Sequence, residues 1–165
     1  PEGVRVILDV SPVIGIPDGL PPTTLISMST SEAAILWRDA DRKAIDVRSW
    51  LPAEDAPIAM ATLLRRDVVV RAGKDGAYFT RYTDSAKLSS TYIPSLSVEA
   101  IDTNGAGDAH TGVLAASLAQ GTSMERALVL ANCAGALAST TVGPATCPPR
   151  TQIKAAADAL AEQED

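Results

Sequence analysis

Ile101-Asp102-Thr103-Asn104-Gly105-Ala106-Gly107-Asp108-Ala109-His110 is the stretch on which the reading of this chain turns. Two glycines and an alanine lie between two aspartates, and an apolar run of small residues follows at once. The pattern predicts a tight loop that opens a helix at about Asp108. Glycine lets main-chain N–H groups face a ligand with no Cβ in the way. The first N–H groups of a helix lack internal acceptors, and the helix dipole adds partial positive charge there. Such a turn suits phosphate or another developing anion. Asp108 at the helix start puts a base beside that site, the arrangement that phosphoryl transfer to a hydroxyl needs. A Gly-x-Gly pair alone is weak evidence, and a plain loop is the simpler reading of Gly105 and Gly107. The flanking Asp102 and Asp108 favour chemistry. The spacing is not a dinucleotide fingerprint, and no Gly-Lys-Ser/Thr of a Walker loop occurs.

Downstream, the helix is expected to run to Gln120, with Gly121 as its stop. Thr122-Ser123-Met124-Glu125 matches a capping box and predicts an Ala-rich helix over residues 125–140, with Gly135 allowing close approach. Val142-Gly143-Pro144 breaks it. Thr151 is expected to cap a last amphipathic helix carrying Ile153, Ala157 and Leu160.

Upstream, residues 4–10 and 24–28 read as strands. Asp9 falls at the C-terminal end of the first, the edge where open α/β sheets place ligands. Residues 12–22 hold four prolines and read as a loop. Ser29 or Ser31 is the expected cap of a helix carrying Ala33, Ile35, Leu36 and Trp37, with Glu32 in its first turn. That helix ends in the charged run Arg38-Asp39-Ala40-Asp41-Arg42-Lys43, read as a solvated end. Residues 44–66 hold a loop and a helix around 57–64. Residues 67–72 are the clearest buried strand. Gly73-Lys74-Asp75-Gly76 turns tightly into a strand over 77–82, and residues 87–93 form another that Pro94 ends. Arg71 and Lys74 could touch phosphates, though solvated cations are the simpler reading. The order of elements predicts a single three-layer α/β domain over residues 1–165, with a mainly parallel sheet flanked by helices and antiparallel edge strands.

The bulk numbers agree. The chain has 165 residues, 46% of them hydrophobic, enough for a packed core rather than disorder. Its net charge of −6 and the lack of a basic stripe argue against a nucleic-acid partner. No apolar run reaches the roughly 20 residues that span a bilayer, so no membrane partner is expected. No leader peptide is read at the start. Cys133, on an apolar helical run, and Cys147, in a loop, have no metal spacing and fit a reducing cytoplasm.

The segment Asp102-Thr103-Asn104-Gly105-Ala106-Gly107-Asp108 closely resembles the C-terminal signature Asp-Thr-x-Gly-Ala-Gly-Asp of the PfkB, or ribokinase-like, carbohydrate kinases. The element order looks like the C-terminal half of such a kinase, with the N-terminal substrate and lid part absent. The resemblance implies an ATP-dependent phosphotransferase with an alcohol acceptor on a sugar or nucleoside. It makes Asp108 the base and the amides of Gly105, Ala106 and Gly107 the anion hole. Gly73, Asp75 and Gly76 resemble the family's turn beside the nucleotide. Asn132 and Gly143 resemble its adenine-pocket helix and loop. Glu32 resembles the acid of the Asn-x-x-Glu motif that organises Mg2+ through water. Asp102 and Asn104 match positions that help bind a monovalent cation such as K+. The resemblance also leaves room for a homodimer. The chain departs from the family pattern at Ser29 (Asn in the motif), His110 (often Phe) and Val113 (often small). His110 is read as a packing or surface residue, because Asp108 already supplies the one base required. The rival reading is a non-catalytic nucleotide-binding or regulatory protein on the same fold. A vitamin-type kinase of the superfamily would carry Gly-Thr-Gly-Asp instead.

Overall fold

The computed structural model describes residues 4–40, 52–84 and 87–162. They divide into two compact units: residues 1–72 with 78–92, and residues 73–77 with 93–165. The expectations for residues 41–51, including the end of the charged run, lie outside the described residues.

The first unit is built on a five-stranded mixed sheet in the order β1 (Ile7–Asp9), β2 (Leu25–Ser29), β3 (Asp67–Arg71), β4 (Ala77–Thr80), β5 (Ser90–Ile93). β1 pairs with β2 and β2 with β3 in parallel, with Asp9 opposite Ser27 and Ser29 opposite Arg71. The links before β4 and β5 are too short for the dozen or more residues of a parallel crossover, so each of these strands runs antiparallel to the one before it. β2 and β3 are buried almost continuously, as central parallel strands are. The β-branched run Val68-Val69-Val70 suits that place. α1 (Thr30–Ala40) and α2 (Ala56–Leu64) pack on the sheet. Their core joins Ile26, Met28, Val68 and Val70 to Ala33, Leu36, Met60 and Ala61.

Four strands are shorter than expected; β3 ends at Arg71 and β4 at Thr80 rather than at residues 72 and 82. β1 starts at Ile7, and Val4 is exposed. β5 starts at Ser90 rather than Lys87. The Asp75-Gly76 turn closes as a single 3-10 turn, Gly73–Asp75, with Gly76 N–H donating to Gly73 O at 3.2 Å.

The second unit holds three helices: α3 (Ala106–Ala119), α4 (Met124–Ala138) and α5 (Arg150–Ala161). Gly135 lets α3 and α4 approach. A Cβ there would lie 3.1 Å from Ala106 O and 3.6 Å from the His110 Cβ. Cys133, Ala134, Ile153 and Ala157 form a core between α4 and α5. Arg126 ties the same pair of helices together through Ala157 O and the Asp158 carboxylate. The cap of α4 is Ser123, not Thr122: its hydroxyl accepts from Arg126 N–H at 3.3 Å. α5 begins after Pro149, so Thr151 lies inside the helix rather than capping it.

Candidate active site

Gly105 caps α3 with φ 77°, in the left-handed region. A Cβ on it would meet Pro144 O at 1.9 Å and the carbonyl carbon at 2.7 Å. Both the turn and the close approach therefore demand glycine. The helical ladder starts with Ala109 N–H donating to Gly105 O at 2.9 Å. Gly107 and Asp108 precede it, in the turn whose amides have no helical acceptor. The Ala106 amide, expected to be open, instead donates to Thr103 O at 3.2 Å, because the bend into α3 brings that carbonyl within reach. Asp108 is exposed in this first turn. His110 is buried, which excludes a surface role.

The Asp102 carboxylate accepts Asn104 N–H at 3.0 Å through Oδ1 and Gly143 N–H at 2.9 Å through Oδ2. These amides hold its carboxyl below the usual value. Asn132 is buried on α4, and its side-chain nitrogen donates to Ile93 O at 3.1 Å and Pro94 O at 2.8 Å. Gly73 and Gly76, at the two ends of the 3-10 turn, both have positive φ, and Lys74 and Asp75 are exposed on it. All these residues belong to the second unit.

Glu32 belongs to the first unit, at the carboxyl edge of the parallel strands. With Ser29 it forms a capping box: Ser29 N–H donates to Glu32 Oε2 at 2.6 Å, and Glu32 N–H donates to Ser29 Oγ at 3.2 Å. Arg71 overturns its solvated reading. It is mostly buried and forks onto Asp9, Nη1 to Oδ2 at 2.5 Å and Nη2 to Oδ1 at 3.0 Å. It also reaches Ser27 Oγ at 3.1 Å and Glu32 Oε2 at 3.4 Å. Sequence reasoning placed Asp9 at a ligand-binding edge but missed this partner. The available signal was that both residues end strands of one parallel sheet with opposite charges.

The donor set fits the groups that the motif implies. The glycine turn, backed by Pro144, leaves main-chain donors at a helix start, which suits phosphate. Among the described residues no cluster of three or more His, Cys, Asp and Glu forms a closed metal cage. A single, mostly buried carboxylate such as Glu32 suits Mg2+ held through water, the way that ion prefers to bind. Among the described residues no helix is long and apolar enough to cross a membrane.

The chain resembles known proteins along most of its length. It is 32% identical over 154 residues to the uncharacterized sugar kinase YegV of Escherichia coli (strain K12), covering 86% of this chain and 41% of that protein. Ribokinase from Thermotoga maritima superposes with a TM-score of 0.75 at 24% identity, covering 93% of this chain and 48% of the other. Fructokinase from Vibrio cholerae O395, solved with fructose, ADP and calcium ion bound, gives 0.60 at 26% identity, covering 80% and 40%. The chain thus spans less than half the length of these relatives. Residues 2–151 match the pfkB family carbohydrate kinase pattern, and the chain belongs to that family.

Proposed function

We propose that this chain is the nucleotide-binding and catalytic half of an ATP-dependent kinase acting on an alcohol group of a sugar or nucleoside. The observation that carries the reading is Gly105 at positive φ, which starts α3 with Asp108 exposed in its first turn. Asp108 takes the proton of the acceptor hydroxyl as its oxygen bonds to the γ-phosphorus and the bond to the ADP oxygen breaks. The amides of Gly105 and Gly107, with that of Asp108, face the charge that develops on the transferring group. Ala106 contributes less, since its N–H has Thr103 O.

Gly73, Asp75 and Gly76 line the nucleotide side, with Gly143. Asn132 supports that side as a strut, its amide nitrogen fixing Ile93 and Pro94. Glu32 would help hold Mg2+, whose charge would offset that of the phosphates. Asp102 and Asn104 stand by a monovalent cation such as K+, on the strength of the motif. The V. cholerae fructokinase complex with sugar, ADP and a divalent ion supports this set of ligands. The same reading makes the protein a cytoplasmic enzyme with small-molecule partners.

Asp108→Asn in the full-length protein tests it. Phosphoryl transfer from ATP to sugars should fall by on the order of 10²-fold or more, with ATP affinity by calorimetry within a few-fold. Retained turnover refutes the base assignment. One observation favours a second reading, a non-catalytic nucleotide-binding protein. Glu32 is already engaged by Ser29 and Arg71. ATP binding without transfer to any sugar or nucleoside by the unmutated protein supports that alternative.

A further inference from the structure

Loop 101–105 and loop 139–146 meet at several points, and Asp102 is at the centre of them. Its Oδ1 accepts from Asn104, two residues on, and its Oδ2 from Gly143, across the site. Ile101 and Asp102 N–H both donate to Ser139 O, at 2.8 and 3.0 Å. Gly105 touches Pro144 so closely that no side chain fits. Gly143 has φ 115°, a conformation that glycine alone adopts readily, and its amide reaches Asp102 from that turn. Thr146 Oγ1 fastens the far end, donating to Ala138 O at 2.9 Å.

We infer that Asp102 is a positioning residue whose carboxylate latches loop 101–105 to loop 139–146, so that the phosphate-side amides and the nucleotide-side loop keep one fixed spacing. Its catalytic consequence rests on the kinase reading; the latch itself does not. Hydrogen bonds to a carboxylate are about twice as strong as neutral ones, and here one carboxylate makes two. The two amides that donate to it come one from each of the loops that it joins. Asparagine would keep one acceptor and turn an N–H2 toward the other of the two amides, donor against donor.

The test is Asp102→Asn in the full-length protein, read by amide hydrogen exchange and by kinetics with KCl titrated. Exchange in residues 101–106 and 139–146 should rise together, about tenfold or more, with residues 150–161 unchanged. The value of kcat should fall about tenfold or more, and added KCl should not restore it. Unchanged exchange in either loop overturns the latch. So does a variant whose only defect is a higher KCl requirement, which makes Asp102 a cation ligand alone. If the variant does not fold, native-state exchange of the unmutated protein in low urea decides. Asn104 and Gly143 amides should open with the same urea dependence, and separate openings overturn the proposal. Absence of turnover in the unmutated protein defeats the kinase reading and leaves the exchange result standing.

Discussion

Gly105 and Gly112 make opposite demands on α3. Gly105 sits at φ 77° with Pro144 O where its Cβ would go. Gly112 lies inside the helix with open space around it. Gly105→Ala should cost at least about 1–2 kcal/mol from the left-handed backbone, and more from the contact. Gly112→Ala should stabilise by about 0.5–1 kcal/mol, because alanine loses less freedom in a helix. Urea midpoints of the two variants check this, and a shift in the same direction would contradict the turn geometry. The cysteines differ as sharply. Cys133 is buried, and burial pushes its thiol from 9.0 up to about 11, while Cys147 is exposed. At pH 8 a thiol reagent should therefore titrate Cys147 in the native protein and Cys133 only after unfolding. The folded state holds the Cys133 proton more tightly than the unfolded one. The stability it contributes is present below pH 9 and lost as pH rises from 9 to 11. Cys133→Ala should flatten that alkaline loss in urea midpoints measured across the window.

At the scale of elements, the caps decide where helices begin. Ser123 accepts from Arg126 N–H and opens α4, so Ser123→Ala should cost about 1 kcal/mol in thermal or urea unfolding. Thr122→Ala should cost a few tenths at most. The order and type of the elements were legible because hydrophobic period, glycine stops and β-branched runs are local signals. The helix starts were less so, since adjacent Thr122 and Ser123 are chemically alike and only the backbone path selects one. Thr151 is misleading for a related reason. Pro149 already occupies the cap position ahead of Arg150, and a threonine two places on is then helical. The Gly105–Asp108 turn was legible because glycine and a first-turn acid act within a few residues. The closure of the Ala106 amide was not, because it depends on how the bend carries Thr103.

At the scale of the whole molecule, each of the two units has its own core, and the first closes at the carboxyl edge of its parallel strands with charge rather than apolar side chains. Arg71 and Asp9 are 62 residues apart in sequence, so no local pattern joins them; the register of β1, β2 and β3 does. A guanidinium fork on a carboxylate, with a second carboxylate beside it, is costly to bury and costlier to break. Arg71→Met leaves Asp9 and Glu32 without this cation in a site that is mostly dry, and should cost about 3 kcal/mol. Arg71→Lys should cost less, because charge remains while the fork is lost. The decisive measurement is a double-mutant cycle of Arg71→Met with Asp9→Asn in urea unfolding. The double variant should lose clearly less than the sum of the single losses, since each single change strands the other partner. Additivity within about 0.5 kcal/mol would mean that the strand ends are held by packing alone, and Arg71 would return to the status of an incidental surface cation.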